Sequence, residues 1–362
     1  MAPSETPPVI RVGMLRLTDA APLVIALEKG FFADRGLRVD LCVEPSWANI
    51  ADKMTYGQMD AAIVLPPLAL AMALGLRGPK MPIMVPMGIS LNGNSVTVSH
   101  EIAAAIGTDE TTDAVAIGQR FATWLRTQSR RPRFAVVHTF STHNLLLRYW
   151  LAASGVDPDR DVEIVILPPP ETAQALKVGE IDGFCAGAPW GSVAAANGAG
   201  RTILVSSEIW RDHPEKCLAV GHFARRQPRA LASLLQALVD AAQYCDRPEN
   251  AREIATIEAS PEYLNVDAAF IQASLPSPVA TSRGDVDRSV FAARAANVPF
   301  PAHAHWFLLQ MQRWGYLDAG TDMAAIAETV YRPDLLRALT TVSGSRPREH
   351  LCDGAAIETE AL

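Results

Sequence analysis

The stretch GEIDGFCAGAPW at residues 179–190 repeats a pattern that the chain already contains in GQMDAAIVLPPL at residues 57–68. Each copy has a glycine, an aspartate three positions later, and then an apolar run that ends at a proline. Glycine suits the end of a helix and aspartate suits the turn before a strand. We therefore interpret Asp60 and Asp182 as architectural residues and not as a catalytic pair, and we expect one structural unit to occur twice.

Each copy ends a run of alternating strand and helix patterns. The first run begins at Val9 and follows the order β-α-β-α-β; the same order begins again at Arg133. The two runs are about 120 residues apart, far above the period of a stacked repeat array, which indicates a duplicated domain. Alternation of strands and helices predicts an α/β fold with parallel-type sheets flanked by helices.

The length of 362 residues favours two lobes, because single cores stop growing at roughly 250 to 300 residues. We expect lobe I to begin at residues 1–97, lobe II to occupy 98–221, and residues 222–362 to form a helical return that packs on lobe I. A loop is expected at 276–289 and a polar C-terminal tail from about residue 342.

Composition and sequence pattern argue against several functions. The net charge of -7 provides no basic stripe, so direct nucleic-acid binding is disfavoured. The most apolar window, from Ala61, is broken by Pro66 and Pro67 and predicts a buried strand and helix, not a membrane span. The first residues lack the basic region of a secretory signal, which predicts a cytoplasmic location. Five cysteines without a C-x-x-C spacing are expected to be reduced and buried.

The loops after the first strand of each run are candidates for a binding site. Ligands of parallel sheets lie beyond the carboxyl ends of the strands, and helix N-termini attract anions. Facing lobes would therefore bring Thr18 and Asp19 together with Ser141, Thr142 and His143 across a cleft.

Six segments carry a resemblance to a known family. In chain order they are LTDAAPLVIALEKGFF, EPSWANI, LNGN, STHNLLLRYWLAA, GAPW and DHPEKCLAV. Together they resemble the nitrate and bicarbonate solute-binding proteins of ABC transporters, over about residues 10 to 330. The resemblance implies a two-lobed periplasmic-binding-protein fold of type II, with the ligand in the cleft between the lobes.

The resemblance also implies the ligand and its contacts. The positions that match nitrate-binding members are Trp47, Asn94, His143, Gly187 and Lys216. Family members that bind bicarbonate tend to have an acidic residue where this chain has Lys216, so the lysine favours nitrate or nitrite. By the predicted boundaries this ammonium group would come from lobe II.

Transport receptors of the family usually have GEPW where this chain has GAPW at residues 187–190. With the missing export signal, this departure makes the chain most similar to the cytosolic NasS-type nitrate and nitrite sensors. Such sensors release a NasT-type RNA-binding antiterminator protein when nitrate is present. The alternative is the substrate-binding receptor of a nitrate ABC transporter.

An enzyme is the third alternative, because pyrimidine precursor synthases of the broader superfamily share the fold. The five scattered cysteines do not resemble their cysteine-rich active segment, and we find no nucleophile elbow, phosphate loop or H-E-x-x-H motif. We therefore expect no catalysis and no cofactor. His303 and His305 would share a face if extended, but without acidic or cysteine partners nearby a metal site is disfavoured.

Overall fold

The computed structural model describes residues 9–107, 113–277, 288–340 and 348–358, and it contains two five-stranded sheets flanked by helices. Within these residues, no helix is both long enough and apolar enough to cross a membrane. The predicted two-lobed α/β fold is confirmed. Both sheets are mixed, whereas the alternating pattern predicted parallel-type sheets.

The first sheet has the order β2-β1-β3-β10-β4. Its strands are β1 Val9–Met14, β2 Arg38–Val43, β3 Ala61–Val64, β4 Met84–Leu91 and β10 Pro214–Val220. Strand β1 is parallel to β2 and β3, while β10 is antiparallel to β3 and β4. Its helices are α1 Ala21–Glu28, α2 Trp47–Thr55 and α3 Pro66–Leu74.

The second sheet repeats this arrangement in the order β7-β6-β8-β5-β9. Its strands are β5 Asn94–Val98, β6 Arg133–Val136, β7 Glu163–Ile166, β8 Gly183–Gly187 and β9 Arg201–Val205. Strand β6 is parallel to β7 and β8, while β5 is antiparallel to β8 and β9. The helices of this lobe are α4 His100–Ile106, α5 Ala114–Leu125, α6 Thr142–Ala153, α7 Pro169–Lys177 and α8 Trp190–Ala196.

The chain crosses between the lobes just before strand β5 and again just before strand β10. The predicted boundaries assigned β5 to lobe I and β10 to lobe II, but β5 pairs in the second sheet and β10 pairs in the first. The chain therefore passes from one lobe to the other at residues 92–93 and returns immediately before Pro214. A local apolar pattern predicts that a strand forms. It does not predict which strand, distant in the sequence, will be its partner.

The remaining elements follow β10. They are α9 Phe223–Arg226, α10 Pro228–Cys245, α11 Ala251–Glu258, α12 Ala268–Ser274, α13 Pro301–Arg313, α14 Met323–Val330, α15 Pro333–Arg337, β11 Glu349–His350 and β12 Ala356–Ile357. Helix α10 packs against α1, and α13 packs against both α3 and α6.

The end of the described chain also contacts the second lobe, although residues 222–362 were expected to pack on lobe I. Trp210 Nε1 donates to Glu349 Oε2 over 2.6 Å, and the Tyr149 hydroxyl donates to Asp353 Oδ2 over 2.8 Å. Residues 278–287 of the predicted loop and residues 341–347 and 359–362, which cover much of the predicted polar tail, lie outside the described residues.

The two repeated aspartates have equivalent backbone contacts. Asp60 Oδ2 accepts the Arg11 backbone N–H over 3.0 Å, and Asp182 Oδ2 accepts the Arg133 backbone N–H over 2.7 Å. Each aspartate also donates its own N–H to the carbonyl of the same arginine. The architectural interpretation is confirmed, because each carboxylate joins the first strand of a repeat to the third.

We expect Asp182→Ala to lower the free energy of unfolding by about 1.5 to 3 kcal/mol, the usual value of a hydrogen bond to a charged group. Asp182 also accepts two hydrogen bonds from Arg130, which hold its pKa below the ordinary value despite partial burial. Urea denaturation followed by circular dichroism would measure the change. Asp40→Ala, at an exposed position of β2, is the control and should change stability by less than about 0.5 kcal/mol. Equal effects would contradict the assignment.

Candidate functional site

A fully buried ammonium group lies at the centre of the candidate site. Lys216 Nζ is 2.7 Å from Asp19 Oδ2 and 2.6 Å from Glu215 Oε1. Burial alone would lower the pKa of Lys216, but the two carboxylates outweigh it and raise that pKa above its ordinary value. Lys216 therefore provides a permanent positive charge away from solvent.

Lys216 lies in β10 and so belongs to the first sheet, not to lobe II as predicted. Asp19 lies in a short 3-10 helix, Thr18–Ala20, directly before α1. Burial raises the pKa of Asp19, and the Lys216 ammonium partly offsets that effect. The ion pair between Asp19 and Lys216 therefore joins the loop after β1 to strand β10 of the same sheet.

Glu215 connects the two lobes at this point and was not predicted from the sequence. Its Oε2 accepts a hydrogen bond from Asn94 Nδ2 over 2.5 Å, and its Oε1 is 3.4 Å from His143 Nε2. Burial raises the pKa of Glu215 to about 7. Adjacent residues of a regular strand point to opposite faces, but β10 has register shifts on both sides of Lys216. This irregularity lets Glu215 and Lys216 contact each other, and it has no signal in the sequence.

His143 and Thr142 form the first turn of α6 in the second lobe. Ser141 precedes them as the N-cap, and its hydroxyl accepts the Asn144 backbone N–H over 3.0 Å. His143 is fully buried, and burial, followed by the charge of Lys216, lowers its pKa well below the ordinary value. A neutral imidazole can donate a hydrogen bond from one nitrogen and accept one at the other.

Trp47 is the first residue of α2, and the Ser46 hydroxyl caps this helix. The indole ring centroid is 5.5 Å from Lys216 Nζ, which is within cation–π range. The ring is 1% exposed, so it provides a flat apolar surface beside the ammonium group.

Gly187 ends β8 where the lobes touch. A Cβ atom at this position would lie 3.3 Å from Leu17 Cδ2, 3.4 Å from Asn94 Oδ1 and 3.6 Å from His143 Nε2. The lack of a side chain therefore leaves room beside Asn94 and His143.

Backbone atoms also join the lobes beside Gly187. Thr18 N donates to Ala188 O over 3.1 Å, and Trp190 Nε1 donates to Arg16 O over 3.3 Å. The cleft is therefore closed on this side.

Several buried polar atoms of the site lack a hydrogen-bond partner among the described residues. They are Thr18 Oγ1, Trp47 Nε1, Asn94 Oδ1, Thr142 Oγ1 and both ring nitrogens of His143. An unpaired buried polar group costs about 1 to 3 kcal/mol, so such a cluster indicates space for a polar ligand. Most of these atoms are donors or can act as donors, which suits a ligand whose oxygens accept.

The structure brings most of the predicted residues into one network. Asp19, Asn94, His143 and Lys216 are linked through Glu215 or Lys216, and the remaining predicted residues adjoin this group. Trp47 faces Lys216, Gly187 adjoins Asn94 and His143, Thr18 bonds Ala188, and Thr142 precedes His143. Their role in ligand binding stays a prediction.

Other candidate features lie elsewhere. His303 and His305 belong to helix α13 and not to an extended segment, and His303 Nε2 is 3.0 Å from Glu349 Oε1. The described residues contain no group of three or more histidine, cysteine or acidic side chains suited to a metal ion. A cavity of about 670 Å³ between α13, α14 and α15 contains none of the predicted site residues.

The cysteines are free thiols, but the expectation that all five are buried was wrong. Cys42 and Cys352 are only partly buried, while the other three are buried.

Two α/β lobes between which the chain crosses twice, with a polar site between them, define a two-lobed solute-binding protein. The chain belongs to the NMT1-like family, whose sequence model matches residues 3–259. It is 31% identical over 390 residues to the nitrate/nitrite binding protein NrtA of Nostoc sp. PCC 7120, covering 99% of this chain and 85% of that relative. The crystal structure of the periplasmic nitrate-binding protein NrtA from Synechocystis PCC 6803 superimposes with a TM-score of 0.87 at 29% identity, covering 99% of this chain and 97% of that chain.

Longer relatives match as well. The nitrate import ATP-binding protein NrtC of Synechocystis sp. is 36% identical over 90% of this chain, and the bicarbonate transport ATP-binding protein CmpC of Synechococcus elongatus PCC 7942 is 37% identical over 89%. The chain spans about half the length of these two relatives, 48% in each case. The two NrtA relatives are named for the binding of nitrate or of nitrate and nitrite.

We expect His143 to stay neutral in the folded protein at a pH just below 6.5, where an unperturbed histidine is mostly protonated. The reason is its burial beside the Lys216 ammonium, and buried His138, whose pKa is lowered to about 4, should behave alike. Imidazole nitrogen chemical shifts from NMR would report the protonation state. The same chain in guanidinium chloride is the control, because both histidines should then protonate normally. A protonated His143 in the folded protein at that pH would contradict this electrostatic assignment.

Proposed function

We propose that this protein binds nitrate or nitrite between its lobes, beside Lys216. The observation that carries the proposal is the group of buried, unpaired polar atoms on Thr18, Trp47, Thr142 and His143 around a buried ammonium. Nitrate is a flat monoanion with acceptor oxygens only. Donors from both lobes, a positive charge and the flat Trp47 ring match these properties.

Several of these groups have to act together. A charge-assisted hydrogen bond contributes about 1.5 to 3 kcal/mol, whereas micromolar affinity needs about 8 kcal/mol. Lys216 Nζ has three N–H groups, and within the described residues it contacts two carboxylates, which leaves one for a ligand. Indole, hydroxyl and imidazole donors would provide the rest.

Bicarbonate is the competing ligand, since CmpC relatives are named for its transport. Bicarbonate has the shape of nitrate but donates a proton, so it benefits from an acceptor in the site. Lys216 stands where the resemblance implies an acidic residue in bicarbonate-binding members, which favours nitrate or nitrite.

For the biological role we propose a cytoplasmic sensor whose ligand-dependent closure releases a NasT-type RNA-binding antiterminator protein. The support is Ala188, which stands where transport receptors of the family usually have glutamate. Ala188 is partly exposed, and its carbonyl takes part in the contact between the lobes. A different side chain at position 188 therefore alters a surface whose shape depends on whether the lobes are closed.

The second role is that of a substrate-binding receptor of a nitrate ABC transporter. Its support is the NrtA of Nostoc, which this chain matches over nearly its whole length. Both roles use the same closure, and a ligand shifts this equilibrium only by its differential affinity for the closed state. Conversion of nearly the whole population would need a ratio of about 10⁴.

We expect Lys216→Met to weaken nitrate binding by about tenfold to 150-fold, the equivalent of one charge-assisted hydrogen bond. Methionine keeps most of the side-chain volume but removes the ammonium group. Isothermal titration calorimetry with nitrate, nitrite and bicarbonate would measure the affinities, with circular dichroism as the test of folding.

Lys177→Met is the matched control, because Lys177 is exposed on α7, and it should bind like the wild type. If a folded Lys216→Met variant bound nitrate as tightly as the wild type, Lys216 would not be the charge that binds the ion.

The sensor role predicts that nitrate dissociates a purified complex of this protein with its antiterminator partner. Size-exclusion chromatography with and without nitrate would show whether two separate peaks replace one. Chloride at equal ionic strength is the control for salt effects. Nitrate binding without dissociation would count against the sensor and favour the transport receptor.

A further inference from the structure

The charges of the site are not balanced for an anion. Lys216 contacts two carboxylates, Asp19 and Glu215, and all three side chains are buried. A bound nitrate ion would place three negative groups around one ammonium if both carboxylates stayed ionised. Uncompensated charges in a buried site are costly, so this charge state opposes binding.

His143 and the thiols near Glu215 do not supply the missing positive charge. His143 on α6 is neutral because its pKa is lowered, and the thiols of Cys185 on β8 and Cys217 on β10 have raised pKa values. His213 Nδ1 is 3.7 Å from Glu215 Oε2, while His213 Nε2 is 2.6 Å from the Ser206 hydroxyl oxygen.

Asn94 donates from its amide to Glu215 and adds no charge. On the far side of Asp19, burial raises the pKa of Glu258 on α11 well above its ordinary value, and the charge of Asp19 adds to that rise.

We propose that Glu215 is a second specificity-determining residue of this site, beside Lys216, because it accepts one proton from solvent when nitrate or nitrite binds and then donates that proton in a hydrogen bond to the ion. The inference rests on the proposed function. Protonation converts an acceptor into a donor and leaves Asp19 and the ligand as the two anionic groups at Lys216. Bicarbonate gains from ionised Glu215 instead, because its own hydroxyl needs an acceptor.

The carboxyl group is already prepared for this step. Burial raises the pKa of Glu215 to about 7 before any ligand is present, and a nearby anion raises the pKa further. Proton uptake is therefore partial near neutral pH and approaches one proton per ion at higher pH. Nitrate affinity should fall about tenfold per pH unit above about pH 7, for as long as the bound form stays protonated.

Titration calorimetry of the wild type with sodium nitrate, in HEPES and in Tris at about pH 8, would count the protons, because these buffers differ in ionisation enthalpy. We expect uptake of nearly one proton per nitrate. In Glu215→Gln, which mimics the neutral carboxyl, uptake should vanish and nitrate affinity should lose its pH dependence.

Asp19→Asn distinguishes the two carboxylates and should retain proton uptake. Uptake that persists in Glu215→Gln but disappears in Asp19→Asn would overturn the assignment to Glu215. Should Glu215→Gln fail to fold by circular dichroism, retention of uptake in Asp19→Asn supports the proposal, and its loss overturns it.

Measurements on the wild type distinguish a failure of this inference from a failure of the proposed function. Nitrate binding with no proton uptake and equal affinity at about pH 6 and pH 8 would overturn the role of Glu215 alone. No nitrate binding at either pH would overturn both.

Discussion

Lys216 Nζ lies out of contact with solvent between Asp19 and Glu215, and the arrangement of the site depends on compensating this charge. An ammonium group in a protein interior is costly unless anionic partners are in direct contact. That requirement fixes the loop after β1 against β10 and fixes Asn94, which binds the same Glu215, on the other lobe. Removal of the ammonium group would leave two buried carboxylates without their shared partner.

The two strands that follow the chain crossings, β5 and β10, bring these partners together. Strand β10 carries Glu215 and Lys216 into the first sheet, while β5 carries Asn94 into the second. Since β4 and β5 are separated only by residues 92–93, the chain crosses between the lobes beside the site. A change in the angle between the lobes would therefore alter the contacts around Glu215 directly, which is how a small ligand can act on the shape of the whole molecule.

Local chemistry made much of the site predictable. Ser141 is a conventional helix cap, so the sequence places Thr142 and His143 at the start of α6, and family resemblance adds Trp47, Asn94, Gly187 and Lys216. Glu215 was missed because a regular strand would point it away from Lys216, and only the register shifts of β10 bring both to the site. The lobe boundaries differ because β5 and β10 pair with strands distant in sequence.

The sequence by itself determined the duplicated β-α-β-α-β units, the turn role of Asp60 and Asp182 and the identity of the candidate ligand-binding residues. The units and the turn role follow from short-range rules of hydrophobic periodicity, helix caps and turns, whereas most of the ligand-binding candidates follow from the family resemblance. Only the tertiary structure decided which sheet contains Lys216, that Glu215 joins the lobes, and which polar atoms are buried without partners. Such features depend on strand pairing and on exclusion of water between distant segments, and neither is encoded by local pattern.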